Sequence, residues 1–192
     1  MTDPGAPGWT TVEWTMDQMD TRVMARQGLL WFAIGGAVFV ALAIRPALLH
    51  DPFASWWNLV PLLGLLVVGT AGSLVLHEGV HGLVMARYGA GPQFGVGMMQ
   101  GQVPYAYATS PGFRYTRRQF WWVAMMPTFV VNAVLAVLVF VLPWGPYLVL
   151  PAAIHLSGCV GDWMILKVIA PHPEGTLVED TREGVILHVP PR

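Results

Sequence analysis

Two histidines and a glutamate, in the run His77-Glu78-Gly79-Val80-His81, lie inside an apolar stretch long enough to cross a bilayer. Residues four apart share one helix face, so both imidazoles can bind one Zn²⁺ while the adjacent glutamate acts as general base. Ionisable groups at membrane depth are expensive, so three together mark a functional site. A polar helix–helix contact without metal is the competing reading, and a costly one for two imidazoles and an acid. A catalytic zinc usually takes three protein ligands and one water. The third ligand must come from elsewhere, and His155, Cys159 and Asp162 are the candidates.

His155 and Asp162 are seven residues apart. On a regular helix they share a face but lie about 10 Å apart along the axis. One ion could take both only if the helix breaks, which Gly158 and Gly161 would make cheaper. Asp162 is preferred as ligand, because it completes a His₂-carboxylate set. His155 then lines the cavity and takes a catalytic part, holding the substrate carbonyl or the oxyanion. A structural histidine bonded to helix backbone is the alternative. Cys159 otherwise reads as a small buried apolar residue, and Asn132 as a polar contact to a neighbouring helix.

The chain that must position these groups is 55% hydrophobic and only 11% charged over 192 residues, against about 25% charged in an ordinary soluble domain. It reads as a membrane protein. A net charge of -1, with no basic face, argues against nucleic acid as a partner. Cys159 is the only cysteine, so no intrachain disulfide is possible. Residues 1–27 carry Asp3, Glu13, Asp17 and Asp20 and lack the positive start of a secretory signal. Pro4, Gly5, Pro7 and Gly8 suggest a loose terminus.

A helical span needs about 20 mostly apolar residues. Four windows qualify, at about 28–49, 57–88, 120–142 and 146–170, the first interrupted by Arg45-Pro46. The expected fold is therefore an all-α polytopic membrane protein. Four transmembrane helices fill residues 28–170, between an N-terminal tail (1–27) and a C-terminal tail (171–192). Trp56, Trp57, Trp121, Trp122 and Trp144 fall near predicted span ends, as interfacial aromatics do. One side of the membrane receives Arg22, Arg26, Arg87, Arg114, Arg117, Arg118, Lys167, Arg182 and Arg192, and the other only Arg45. That asymmetry puts both termini in the cytoplasm. His77 then lies about 30 Å along the second span, near the cytoplasmic end of the bilayer. Asp162, 16 residues after Pro146 on a span of the same direction, reaches a similar depth.

Short extended segments are also expected near the cytoplasmic face. Phe94, Val96 and Met98 alternate with glycines, and Val103, Tyr105 and Tyr107 alternate after Gly101, which predicts a β-hairpin. A sheet edge can bind an unwound substrate by strand addition. Phe94, Val96, Val103 and Tyr105 are thus the candidate substrate-binding residues; an interfacial loop packing over the cavity is the alternative. Residues 176–189 read as two short strands around Arg182-Glu183-Gly184, and 9–16 as a weaker strand or interfacial anchor. His172 and His188 read as surface histidines.

His77-Glu-x-x-His81 in one span, with Ser157-Gly-Cys-Val-Gly161-Asp162-Trp163 in a later one, resembles the site-2 protease-like membrane zincins. It is most similar to a small bacterial branch of zincin peptidases of unknown function. The resemblance covers roughly residues 57–170. It implies an intramembrane metallopeptidase core in the bacterial cytoplasmic membrane, with Zn²⁺ on His77, His81 and Asp162 and Glu78 as base. The chain departs from site-2 proteases in lacking their Asn-Pro-x-x-Asp-Gly arrangement: Pro127 and Asn132 are on another span, Trp163 follows Asp162, and no PDZ-like insertion is present. The expected function is a zinc-dependent intramembrane peptidase cutting membrane-embedded or juxtamembrane protein segments, with the lipid bilayer and a membrane protein or peptide as partners. The alternatives are a zinc hydrolase acting on a lipid or small amide, and a non-catalytic metal-binding membrane protein.

Overall fold

The computed structural model describes residues 7–101 and 103–191. The loose stretch expected at Pro4 and Gly5, and the cation Arg192, lie outside them. The chain is mostly helical, with small antiparallel sheets. Four helical segments are long and apolar enough to cross a membrane: Thr21–His50, Val60–Arg87, Arg117–Val141 and Gly145–Ile169. Two compact units divide the chain, one of residues 21–77 and 127–160, the other of residues up to Asp20 with 78–126 and 161–191.

The first unit is helical. Its α1 (Thr21–His50) continues through Arg45-Pro46, where the sequence suggests an interruption. Proline removes one backbone donor, but the Pro46 ring is fully buried, and its neighbour Arg45 holds its guanidinium 5.4 Å from the Phe140 ring centre. Packing on both flanks outweighs one missing hydrogen bond. α2 (Leu59–Arg87) and α3 (Arg117–Val141) each contribute part of their length. The last span is two helices, α4 (Val149–Gly158) and α5 (Val160–Ile169), separated at Cys159. The interruption that Gly158 and Gly161 make cheaper is one residue long: Cys159 keeps right-handed helical dihedrals (φ -62, ψ -12) and its N–H still bonds the His155 carbonyl. α1 and α4 meet through small residues: a Cβ at Gly35 would lie 3.0 Å from Leu156 and 3.5 Å from the Ala153 backbone. Such small positions let apolar helices approach closely.

The second unit joins the strands to helix ends. β1 (Thr10–Thr15), β4 (Arg114–Thr116), β5 (Leu177–Asp180) and β6 (Gly184–Val189) form an antiparallel sheet in the order β1-β6-β5-β4. β2 (Gln93–Met99) and β3 (Val103–Thr109) form the expected hairpin. Its tip carries a non-glycine residue at positive φ, Gln100 (φ 50). The Asp17 carboxylate holds it there by accepting from the Gln100 backbone N–H at 2.7 Å. Tyr115, Val178, Val185 and Leu187 of the larger sheet pack on Met85 of α2, Phe120 and Val123 of α3 and Ile165 and Ile169 of α5. Each fully buried aliphatic contributes roughly 1.5–3 kcal/mol. This core anchors the motif-bearing end of α2 to the sheet.

Gly35→Leu should overpack the α1–α4 contact and lower the unfolding midpoint of detergent-purified protein, at a cost of about 1–3 kcal/mol. Gly36→Leu, where a Cβ would meet nothing within 4 Å, should leave the midpoint unchanged. Differential scanning fluorimetry of the two variants checks the contrast.

Candidate metal centre

α2 carries both histidines of the motif one helical turn apart, so its own geometry gives them a common face. In the sheet-containing unit, His81 is buried and its Nδ1 lies 2.8 Å from the Val123 carbonyl oxygen of α3. That oxygen is available for a sequence reason. In a regular helix it would accept from the N–H of residue 127, and residue 127 is proline, which has none. A carbonyl only accepts, so His81 Nδ1 carries the proton and the lone pair of the neutral ring is on Nε2. Nε2 in turn lies 3.5 Å from Asp162 Oδ1, in the first turn of α5. An imidazole nitrogen and a carboxylate oxygen face each other there, an approach that needs a positive charge between them, either a proton on Nε2 or a metal cation. The donor chemistry fits zinc, whose nitrogen and carboxylate ligands bind at about 2.0–2.2 Å.

Glu78, His81, Asp162 and Asp180 line one cavity of about 70 Å³, with Ala106, Tyr107 and Ala108 of β3 along its side. Such a space holds a few water molecules. Asp180 is a site residue that the sequence reading missed. An acid beside the Thr181-Arg182 turn looks solvated, but strand alternation puts it on the same face as Val178, which is buried. Burial, and then the nearby Asp162 and Glu78 carboxylates, push its carboxyl up to about 8, against the opposing influence of His81 and Thr109.

The helical unit holds the other histidine. His77 Nδ1 lies 3.1 Å from His155 Nε2, and His155 Nδ1 lies 3.3 Å from Asn132 Oδ1. Asn132 thus makes the contact to a neighbouring helix expected of it. His77, His155 and Cys159 place one ligand atom each within 4.8 Å of one another. The Cys159 thiol, however, donates to the His155 carbonyl at 3.3 Å, as a protonated side chain bonded back onto its own helix.

The four candidate substrate-binding residues divide. The Phe94 ring packs against Gly82, next to His81, where a Cβ would collide with it. Val96 points outward and is 83% exposed. Val103 lies in β3 opposite Met99. Tyr105 covers Gly97 and donates its hydroxyl to the Arg182 carbonyl at 3.0 Å; Tyr107 is the tyrosine that reaches the cavity. Among the described residues β3 pairs on one side only, with β2. His188, read from sequence as a surface histidine, is instead buried, with Nε2 3.3 Å from Glu179 Oε2. It lies on the face of β6 opposite Val185 and Leu187, and a cross-strand carboxylate accounts for the difference.

Residues 70–177 match the family described as "Putative zincin peptidase". No curated protein and no solved structure matches the chain.

The Asp180 carboxyl gives a pH dependence whose sign follows from its direction of shift. A folded-state value of about 8 lies above the ordinary 3.8, so the folded protein holds this proton more tightly than the unfolded chain. The resulting stability is fully present below the ordinary value and is lost as pH rises towards the folded one. In chelator-treated protein, melting temperature should fall between about pH 4 and pH 8. Asp180→Asn should flatten that slope, and an unchanged slope would contradict the assignment.

Proposed function

Because the chain belongs to the zincin peptidase family that its residues 70–177 match, we propose that it is a zinc-dependent, site-2 protease-like intramembrane peptidase. His77, His81 and Asp162 would hold the metal and Glu78 would be the base. The observation that carries this reading is the His81 Nε2–Asp162 Oδ1 approach of 3.5 Å, with His81 Nδ1 committed to Val123. The i, i+4 spacing of the motif adds His77, and the zincin family implies zinc. When bound, zinc would polarise the scissile carbonyl and lower the pKa of a bound water to about 7.

The remaining work falls to side chains. Glu78 accepts a water proton as the water oxygen attacks the carbonyl carbon, and returns a proton to the departing amine nitrogen as the C–N bond breaks. Asp180 brings a protonated carboxyl to the same cavity. The β3 backbone at Ala106–Ala108 runs beside Glu78 and His81, which favours an extended peptide over a lipid, since a strand can hydrogen-bond to it.

A membrane location is supported by the four apolar segments and by their outward side chains: Leu48 is 82% exposed, Val75 73% and Leu83 71%. Lipid tails would cover such a surface. The cation asymmetry supports an orientation with both termini in the cytoplasm and residues 28–170 as the embedded core flanked by 1–27 and 171–192; the resemblance to bacterial membrane zincins is what suggests the bacterial cytoplasmic membrane. A membrane protein or peptide is then the substrate.

Purified wild type should carry one zinc per chain by elemental analysis. His77→Ala, His81→Ala and Asp162→Ala should each lose most of it. Glu78→Gln should keep zinc but cut a transmembrane-peptide library at least about 100-fold more slowly. Unchanged zinc in the histidine variants would overturn the ligand set. Undiminished cleavage by Glu78→Gln would overturn the base, and turnover of lipid amides but of no peptide would reassign the substrate.

A further inference from the structure

His155 is buried, and the chemistry of its partners decides what it can do. Asn132 sits on α3 with its Nδ2 donating to the Thr128 carbonyl at 2.7 Å. That bond fixes the orientation of the amide and turns Oδ1 towards His155 Nδ1, 3.3 Å away. An amide oxygen cannot donate, so His155 Nδ1 carries the proton. The lone pair of the neutral His155 ring is then on Nε2, 3.1 Å from His77 Nδ1. His77 Nδ1 must donate to it. Each hydrogen bond has one permitted direction once the Thr128 carbonyl is in place.

We infer that Asn132 and His155 form a positioning chain that fixes the proton of His77 on Nδ1 and dedicates its Nε2 to the metal. The inference rests on the reading of His77 as a zinc ligand. It makes His155 a positioning residue, with neither ring nitrogen directed at substrate. Metal-bound histidines commonly give their other N–H to such a partner, which sets ring orientation and raises ligand basicity. Here the partner is a second imidazole, itself oriented by a side-chain amide. A metal held by His77, His155 and Cys159 is the arrangement this excludes. It would require a lone pair on His77 Nδ1 and a Cys159 thiolate, whereas the thiol is bonded to the His155 carbonyl.

The test is zinc release from the full-length protein in detergent after addition of excess chelator, together with the visible spectrum of the cobalt-substituted form. Asn132→Leu and His155→Phe should bind one zinc and release it about 10–100-fold faster than wild type. Asn132→Asp, which keeps an acceptor for His155 but loses the donor to the Thr128 carbonyl, should release it more slowly than Asn132→Leu, a partial rescue that a purely structural role for Asn132 would not demand. Cys159→Ala should leave release and spectrum unchanged. Should Asn132→Leu not yield folded protein, the smaller Asn132→Ala carries the same expectation. Wild-type release rates in folded Asn132 and His155 variants would overturn the proposal. So would a thiolate-to-cobalt charge-transfer band that Cys159→Ala removes. Retention of full zinc by His77→Ala is a separate result, which would overturn the ligand assignment itself.

Discussion

A carbonyl oxygen can only accept a hydrogen bond, and the Val123 carbonyl 2.8 Å from His81 Nδ1 therefore decides which nitrogen of that ring holds its proton. The rest of the centre depends on that constraint. With Nδ1 committed to a proton, Nε2 is the nitrogen that meets the Asp162 carboxylate, and either a second proton or a metal cation must lie between them. The carbonyl is available because Pro127 supplies no donor to it. A residue four positions along α3 thus decides which nitrogen of a histidine on α2 holds the proton.

Electrostatics point the same way from a different set of groups. Glu78, Asp162 and Asp180 share a cavity of about 70 Å³. Three carboxyl groups at such close quarters cannot all ionise without a compensating positive charge. The chain answers in part by leaving Asp180 protonated, its carboxyl raised to about 8 by burial and by its acidic neighbours. A divalent cation would answer the remainder. The sheet contributes to this cavity as well as the helices: β3 gives backbone along one side and β5 ends in Asp180. Fixing the end of α2 to the sheet through Met85, Val178 and Leu187 keeps the acids from relaxing apart.

The strong periodic signals in the sequence carried through to the structure. Apolar runs became the four long helical segments, the glycine alternation at 93–109 became the β2–β3 hairpin, and the glycines flanking Cys159 mark the break between α4 and α5. The first helix passes through Pro46 because burial of that ring outweighs one lost donor, a balance that a local rule does not contain. Asp180 and His188 were missed for a related reason. Asp180 shares a face with Val178 and His188 lies on the face opposite Leu187, and whether a polar residue on either face is buried depends on what covers the sheet. The strand β4, three residues long, has too few alternating positions to register as a pattern. The proton assignments were out of reach from sequence altogether, since they depend on which carbonyl or amide oxygen comes within 3.5 Å of which nitrogen.

The two histidines are held by different kinds of partner, and this has consequences for how the centre can vary. His81 relies on a backbone oxygen, so the identity of the side chain at position 123 matters only through packing, while position 127 must withhold its donor. His77 relies on two side chains, and each must keep a hydrogen-bonding pattern of fixed direction. An apolar replacement at 132 leaves His155 without the acceptor that orients it, and a buried polar group without a partner costs about 1–3 kcal/mol. The more elaborate support belongs to the histidine in the helical unit, where the surrounding residues are those of long apolar helices. Both arrangements achieve the same end: a ring whose Nδ1 is committed, whose Nε2 keeps its lone pair, and whose orientation is fixed before any metal arrives.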